Sequence, residues 1–319
     1  MHSRGTIPGW RLVALPAFAV ALLLTTSTRA GANDGLACGA TITVDTTLTG
    51  DLRHCPGDGL IVATNGVTLD LAGHTLTGSG AGSGITITGT GVTVTNGVVK
   101  GFAQGIDVEV FGDQSTLSGL AVNRNGTGLT VGVNSSTGPS HGTVSDSSFK
   151  NNDVDGVFLH GSFWTIEGST IARNGRDGVH AAVDVDVVTL VGDKINDNVG
   201  TGVSLVNQND GSTIAGSVVS RNGGDGIRVE TSTTHITGNT TRDNGGTGIW
   251  VLEEAGLSFG PFYLVADNTS IANAGYGIRA CITVDSLHTC EPGITDGGGN
   301  VARRNQLMPE CVNVVCTRH

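Results

Sequence analysis

The sequence has few basic residues, few aromatic residues and few prolines. Lys and Arg number 17 against 28 Asp and Glu, which gives a net charge of −11. This shortage of positive charge disfavours nucleic acid and anionic membranes as partners, because both are bound through basic surfaces. It also disfavours a strongly acidic polysaccharide, unless a local basic cluster or a bound cation offsets the charge.

Long apolar runs are also scarce, and the one that stands out is N-terminal. Residues 12–24 form an apolar run that is short for a membrane span, preceded by Arg4 and Arg11 and followed by the small residues 30–32. The pattern predicts that residues 1–32 are a signal peptide, and hence a secreted, cell-envelope or periplasmic protein with no membrane span after removal. The mature chain would carry 14 basic and 28 acidic residues, a net charge of −14. Retention of the segment as an anchor is the alternative.

What the sequence does have is glycine and a repeat. Gly supplies 51 of the 319 residues. The repeat is Asn, three residues, Gly and an aliphatic residue, and its full copies begin at Asn152, Asn174, Asn198, Asn222, Asn244 and Asn273. A copy one residue shorter begins at Asn125, and weaker copies contain Gly84 and Gly105. Successive repeat glycines lie 21 to 29 residues apart. Such a period indicates a solenoid, in which each repeat buries its apolar side against its neighbours.

The composition between the repeat landmarks favours strands. Thr, Val, Asn and Ser are abundant, and short alternations such as residues 67–71 and 92–94 place an apolar residue at every second position. The spacing is nearly constant up to each Asn, whereas the connection after each Gly-aliphatic pair varies in length. Strands must stay in register while one loop is free to vary. We therefore predict an all-β solenoid of about ten coils with three short strands per coil.

The repeated Asn and Gly have structural explanations. An Asn stacked at the same turn in coil after coil can donate to the next Asn and accept from the previous one, and it tolerates left-handed backbone. The Gly supplies positive φ or permits close backbone approach. Asp153, Asp155, Asp177 and Asp225, which lie within these turns, are expected to accept hydrogen bonds from turn amides. None of these residues is predicted to be catalytic.

The cysteines lie only near the two ends of the repeat region. Six cysteines in an exported chain predict three disulfides, which would staple the open ends of a solenoid. By proximity we pair Cys38 with Cys55, Cys281 with Cys290, and Cys311 with Cys316. A metal site explains these cysteines less well, because the sequence has no Cys-x-x-Cys motif with matched His spacing.

These motifs resemble the right-handed parallel β-helix proteins of the pectate-lyase-like superfamily. The repeats, the entry coil at residues 67–76, the Cys38–Cys55 segment and residues 297–300 carry the resemblance, over about residues 36–316. It implies a single-stranded right-handed parallel β-helix with disulfide-stapled ends. We expect an N-terminal cap leading into the first coil at 33–60, the β-helix at 61–280 and a C-terminal cap at 281–319. The superfamily includes lyases, hydrolases, epimerases and adhesins, so the resemblance says little about function.

Outward positions are the place to seek function. By alternation, they fall two and four residues after each repeat Gly. We call the first set the first column: Asp107, Thr130, Phe158, His180, Ser204, Arg228, Trp250 and Arg279. The second column is Glu109, Gly132, His160, Ala182, Val206, Glu230, Leu252 and Cys281. The longest connections, residues 134–142 and 253–262, follow the same strand and would border these columns.

A comparison with alginate-epimerase-like β-helices weakens one enzymatic prediction. Their corresponding strand carries Gly-Phe-Asp-Pro-His, whereas this chain has His160 at the His offset with Phe158 in place of the Asp. Asp107 keeps the Asp offset without the His, so the implied catalytic pair is split between distant coils. The calcium sites of pectate-lyase-like proteins use clustered acidic residues near a basic residue. Asp184 and Asp186 are paired here but have no basic residue beside them in sequence, so a calcium site is possible but unsupported.

The prediction is therefore a monomeric exported protein that binds a polysaccharide or surface glycan along one strand face, without a cofactor or metal. The expected binding residues are Phe158, Trp250, Asp107, Glu109, Ser204 and Arg279. The alternative is a polysaccharide lyase, hydrolase or epimerase with an atypical site; its candidate catalytic residues are His160, His180, Arg228 and Glu230. Each of these residues also has a simpler explanation, since surface histidines and exposed ion pairs are common. A copper-related role ranks third, because Met308 would be the one Met ligand of the mature chain.

Overall fold

The computed structural model describes residues 36–132, 138–182, 185–206, 211–230, 233–254, 263–283 and 290–317. The described residues all belong to one compact unit, Ala32–His319. The expected signal peptide lies outside the described residues and stays a prediction. Within the described ranges there is no helix, and so none of a length and hydropathy that could cross a membrane.

The N-terminal half of the fold consists of short strands. They are β1 (Ala40–Ile42), β2 (Thr46–Thr47), β3 (Leu52–Cys55), β4 (Leu60–Val62), β5 (Thr68–Asp70), β6 (Thr75–Gly78), β7 (Ser83–Ile87), β8 (Thr93–Lys100), β9 (Gln104–Val108), β10 (Thr116–Asn123), β11 (Thr127–Val131), β12 (Thr143–Ser145), β13 (Ser148–Lys150), β14 (Val157–Leu159), β15 (Trp164–Glu167) and β16 (Thr170–Ala172).

The C-terminal half continues the same pattern. Its strands are β17 (Val179–Ala181), β18 (Val188–Val191), β19 (Lys194–Asn196), β20 (Val203–Val206), β21 (Ser212–Ala215), β22 (Val218–Ser220), β23 (Ile227–Glu230), β24 (Thr234–Thr237), β25 (Thr240–Arg242), β26 (Ile249–Glu254), β27 (Leu264–Ala266), β28 (Thr269–Ile271), β29 (Ile278–Thr283), β30 (Cys290–Glu291), β31 (Thr295–Gly298), β32 (Asn300–Arg303), β33 (Cys311–Val312) and β34 (Cys316–Thr317).

The strands stack coil upon coil in parallel. The strand that follows each repeat Gly pairs with its counterparts in the coils before and after it, and these strands form sheet A: β1, β4, β7, β9, β11, β14, β17, β20, β23, β26 and β29. The other two strands of each coil stack in the same way. About eight regular turns separate β7 from β29, and two turns with shorter strands precede them. The predicted all-β parallel solenoid is confirmed.

Alternating burial explains why these residues form strands. In β23, Ile227 and Val229 are buried, whereas Arg228 and Glu230 are partly exposed. The inward aliphatic residues of successive coils form one continuous core, in which Trp164 and Tyr263 are the largest buried side chains. Each fully buried aliphatic side chain stabilises the fold by roughly 1.5–3 kcal/mol.

The predicted Asn ladder is present. From Asn125 to Asn305, the side-chain Nδ2 of each ladder Asn donates to Oδ1 of the next, at 2.9–3.4 Å. The same Oδ1 also accepts the backbone N–H of the preceding Asn. At the C-terminal end, Asn305 donates to the Glu310 carboxylate. These buried amides are therefore satisfied along the length of the ladder.

One detail of the turns differs from expectation, and another decides between two expected alternatives. The left-handed residue is the one before the ladder Asn, such as Arg173 before Asn174, with φ of 56°. The repeat Gly serves close approach and not positive φ. A Cβ on Gly178 would lie 2.5 Å from the carbonyl oxygen of Gly202 and 2.6 Å from Cγ2 of Ile195. Only a residue without a Cβ fits that gap.

A second polar ladder, which the sequence analysis did not predict, runs along another turn. At each step a backbone N–H donates to the side-chain oxygen of the next member, through Ser147, Ser169, Asp193, Ser217, Asn239, Asn268 and Asn300. Asp193 is its one carboxylate and is 1% exposed. Its Oδ2 has no hydrogen-bond partner among the described residues. Burial raises the pKa of Asp193 to about 7.

The three expected disulfides are formed, joining Cys38 to Cys55, Cys281 to Cys290, and Cys311 to Cys316. The first lies at the N-terminal coils, where Cys55 is part of the core. The others tie down the chain after β29, where β30 adds antiparallel to that strand and β33 adds parallel. The bridges thus close both ends of the stack, where sheet edges would otherwise be open.

Candidate functional site

The first column is a continuous row of residues on sheet A, in which Thr130 and Ser204 are buried and the other members are half-buried. The strand register pairs each member with the next, from Asp107 through Thr130, Phe158, His180, Ser204, Arg228, Trp250 and Arg279. Thr86 of β7 extends the row by one strand, opposite Asp107. Members of adjacent strands are spaced by about 4.8 Å. Their placement follows the sequence prediction, while their role in binding stays a prediction.

The second column exists only in part. Val206, Glu230, Leu252 and Cys281 are in register on sheet A. Glu109, Gly132, His160 and Ala182 lie one residue beyond the ends of their strands and form no continuous row. Cys281 is fully buried and disulfide-bonded, so it offers no outward group. Of the two expected loops, residues 134–137 and 255–262 lie outside the described residues.

Trp250 is the centre of a cationic and aromatic cluster. The Arg228 guanidinium lies 4.6 Å from the Trp250 ring centroid, and the Arg279 guanidinium lies 5.5 Å from it. Arg279 also lies 5.6 Å from the ring centroid of Tyr276. Cation–π attraction favours these contacts. We call these four residues the Trp250 cluster.

Arg228 is neutralised within its own strand. Its Nε donates to Oε1 of Glu230 at 2.7 Å, and its Nη2 contacts the same oxygen. The pair is partly exposed, so its contribution to stability is small. Nearby, Asp225 accepts the backbone N–H of Thr247. Burial raises the pKa of Asp225, Glu230 raises it further, and the hydrogen bond from Thr247 and the charge of Arg228 oppose the rise. The ion pair matches the simpler explanation of Arg228 and Glu230.

His180 is held by its neighbours on two coils. Its ring lies 5.4 Å from that of Phe158, tilted by 34°. Its Nδ1 lies 3.1 Å from Oδ2 of Asp177, whose Oδ1 accepts the backbone N–H of Thr201 at 2.7 Å. Nη2 of Arg176 lies 3.4 Å from the same Nδ1, so this nitrogen faces a donor as well as an acceptor. The shorter contact, to Asp177, needs a proton on Nδ1, because a carboxylate oxygen can only accept, and that tautomer leaves Nε2 as the second ring nitrogen.

The carboxylates beside His180 do not form an open metal site. One ligand atom each from Asp155, Asp177 and His180 lies within 4.8 Å of the others. However, Arg176 donates to both oxygens of Asp155, through Nε at 2.9 Å and Nη2 at 2.6 Å. A guanidinium in this position competes with a cation for the same oxygens. The cluster fits a hydrogen-bonded turn network better than a metal centre, and Asp184 of the other acidic pair lies outside the described residues.

His160 does not join His180. Its Nδ1 donates to the carbonyl oxygen of Gly132 at 3.0 Å, which ties the ring to the preceding coil. Among the described residues, no contact links His160 to His180 or to Arg228. Arg228 itself lies two strands from His180, with Ser204 between them, or about 10 Å along the sheet. The four candidate catalytic residues therefore do not converge on one point.

The N-terminal end of the first column is acidic. Burial raises the pKa of Asp107 to about 6, and the charges of Glu109 and Asp58 raise it further. Its column neighbours Thr86 and Thr130 are themselves buried. The face thus changes along its length, from carboxylates at β9 to the Trp250 cluster at β23, β26 and β29.

Arg176 and Tyr276 are site residues that the sequence analysis missed. Arg176 lies two residues before Gly178, and Tyr276 lies one residue before Gly277. Both are turn positions between the repeat Asn and the repeat Gly. Asp155, Asp177 and Asp225 do accept turn amides as predicted. The signal available in the sequence was a large side chain at a repeat position that other copies fill with small or polar residues.

The geometry is that of a known family. A family model described as a right-handed β-helix region matches residues 51–182 and 137–260. The chain belongs to the right-handed β-helix family. This confirms the expected hand of the coil and the predicted resemblance to pectate-lyase-like proteins. Comparison with curated proteins found no match to this β-helix.

Solved structures share the fold at low sequence identity. The A-module of the mannuronan C-5 epimerase AlgE6 of Azotobacter vinelandii is 14% identical, with a TM-score of 0.59, over 90% of this chain and 87% of that one. The AlgE4 A-module of the same organism is 17% identical, with a TM-score of 0.59, over 86% and 82%. The Agl-KA catalytic domain is 14% identical, with a TM-score of 0.50, over 80% and 62%. At these identities the similarity establishes the β-helix fold alone.

Proposed function

We propose that this β-helix binds an extended glycan along the first column, outside the cytoplasm. One observation carries the proposal, namely that aromatic, cationic and polar side chains form an uninterrupted row on one sheet face. The three disulfides support an oxidising compartment. The similarity to a mannuronan epimerase module and to the Agl-KA catalytic domain is consistent with a carbohydrate ligand.

The row suits a chain of sugars for physical reasons. A pyranose ring stacks its C–H face on an aromatic side chain, and its hydroxyls bond to polar neighbours. Phe158 and Trp250 are partly exposed and lie four strands apart, so they are about 19 Å from each other along the sheet. His180 and Arg228, which are partly exposed, lie between them and offer polar groups, whereas Ser204 between those two is buried. A ligand that contacted both rings would therefore be an oligosaccharide rather than a single sugar.

A glycan-array screen of the protein, followed by titration calorimetry on the hits, tests this proposal. Trp250→Ala is expected to weaken binding roughly tenfold or more, as truncation of a central aromatic anchor usually does. Phe111→Ala is the control, because Phe111 is 72% exposed and lies outside the column. Equal losses in both variants, or no hit on the array, would count against the proposal.

Catalysis on the bound glycan is a second candidate, favoured by the Asp177–His180 contact. A carboxylate that orients a histidine leaves the second ring nitrogen able to transfer a proton. Reducing-end and unsaturated-product assays on the array hits test it, with His180→Gln and His160→Gln compared. Turnover that is lost in His180→Gln and kept in His160→Gln would support proton transfer at His180. Binding without any product would rule the candidate out.

A further inference from the structure

We infer that the Trp250 cluster receives an acidic substituent of the glycan, a carboxylate or a sulfate, and that Arg279 is the residue that contacts it. This inference rests on the proposed function and names the class of glycan. Net charge alone argues against an acidic ligand, but the cluster is the local concentration of cations that could offset it.

The two arginines of the cluster differ in their partners. Arg228 is bound to the Glu230 carboxylate through two donors. Arg279 forms no ion pair with any carboxylate of the described side chains. Its guanidinium lies near the rings of Trp250 and Tyr276. A cation–π contact engages the charge of a guanidinium and does not use up its five N–H donors. Those donors match a carboxylate or a sulfate.

The same contacts hold Arg279 in place before a ligand arrives. A free arginine side chain loses rotamer freedom when it binds. At Arg279 two rings from the turn and the neighbouring strand restrict the side chain in advance. Part of the ordering cost is thus met by the fold itself, which is the arrangement expected of a recognition residue.

The acidic end of the column does not cancel this charge. Seven strand steps of about 4.8 Å separate Asp107 from Arg279, a distance of about 34 Å. Exposed charges are largely screened beyond about 8–10 Å at physiological ionic strength. An acidic substituent at the Trp250 cluster therefore lies beyond the range of repulsion from Asp107 and Glu109. The acidic end and the cationic end of the column together favour placing that substituent at the Trp250 cluster.

Two matched pairs of polymers test the inference, measured by affinity electrophoresis and calorimetry. Polygalacturonate is compared with its methyl ester, and kappa-carrageenan fragments with agarose fragments. Arg279→Gln is expected to lower affinity for an acidic member at least tenfold and to leave its neutral counterpart within twofold. Arg173→Gln removes the same charge from an exposed turn position and is expected to change neither.

A second variant keeps the test decisive if Arg279→Gln fails to fold. Glu230→Gln removes a competing carboxylate and releases Arg228, so it is expected to raise affinity for the acidic polymer several-fold. Dependence on Arg279 for carrageenan alone assigns a sulfate, and for polygalacturonate alone a carboxylate. If the polymers bind with an affinity that falls in Trp250→Ala but does not change in Arg279→Gln, this inference is overturned and the proposed function stands. No binding in any arm would overturn both.

Discussion

Replacing Asp193 with Asn is expected to stabilise the protein at alkaline pH. Asp193 is the carboxylate of the second ladder, almost fully buried, with an oxygen that lacks a partner among the described residues. At the equivalent position two coils later, Asn239 donates its Nδ2 to the carbonyl oxygen of Ile214 at 2.7 Å. An amide at position 193 would supply the same donor and remove the buried charge.

The sign and size follow from the pKa of Asp193. Its folded value of about 7 lies above the ordinary 3.8, so the folded state holds the proton more tightly. Stability is therefore unaffected below pH 4, falls as the pH rises from 4 to 7, and is fully reduced above 7. About three pKa units correspond to an upper limit of about 4 kcal/mol. We expect Asp193→Asn to gain about 2–4 kcal/mol at pH 8 and no more than about 1.6 kcal/mol at pH 5.

Urea unfolding at pH 5 and pH 8, followed by circular dichroism, measures this difference. Asp146→Asn is the matched control, because Asp146 is an exposed aspartate in a neighbouring turn. The control is expected to shift neither curve by more than about 0.5 kcal/mol. A gain of equal size at both pH values, or a loss at pH 8, would refute the argument that a buried charge at Asp193 destabilises the fold.

Three further predictions concern the repeat and the acidic end of the face. Asn174→Ala removes a buried amide that bonds to both neighbouring coils and should cost about 2–4 kcal/mol by urea unfolding; a loss below 1 kcal/mol would contradict the ladder's role. Gly178→Ala should lower the melting temperature sharply or prevent folding, whereas Gly50→Ala, with open space around it, should leave it within a few degrees. Glu109→Gln should lower the pKa of Asp107 from about 6, as followed by carboxyl NMR titration, because one of the charges that raises it is removed. An unchanged titration would contradict a contribution from Glu109 and leave burial and the charge of Asp58 as the causes.

The sequence predicted the parts of the molecule that follow a strict period. The first column was found because alternation along a strand fixes which side chains point outward, and the Gly of each repeat sets the starting point. The Asn ladder was found because one residue type recurs. The second ladder escaped notice, because Ser147, Asp193 and Asn239 fill equivalent positions with different residue types that share only a side-chain oxygen.

The contacts of individual site residues could not be predicted from the period. His160 lies one residue beyond β14, where the path of the chain depends on the connection that follows, so its bond to the Gly132 carbonyl has no sequence signature. Tyr276 belongs to the Trp250 cluster only because its turn brings it towards Arg279. Both are properties of three-dimensional placement at strand ends, which spacing does not determine.

The direction of the Asn ladder makes the coils interchangeable units. Every ladder Asn presents an acceptor to the coil before it and donors to the coil after it, so a duplicated or deleted coil would leave the remaining junctions chemically unchanged. The two end junctions are different: Phe102, in place of an Asn, donates its backbone N–H to Asn125, and Asn305 donates to the carboxylate of Glu310. The length of the first column can therefore change during evolution by whole coils, while Glu310 continues to end the ladder at the C-terminal side.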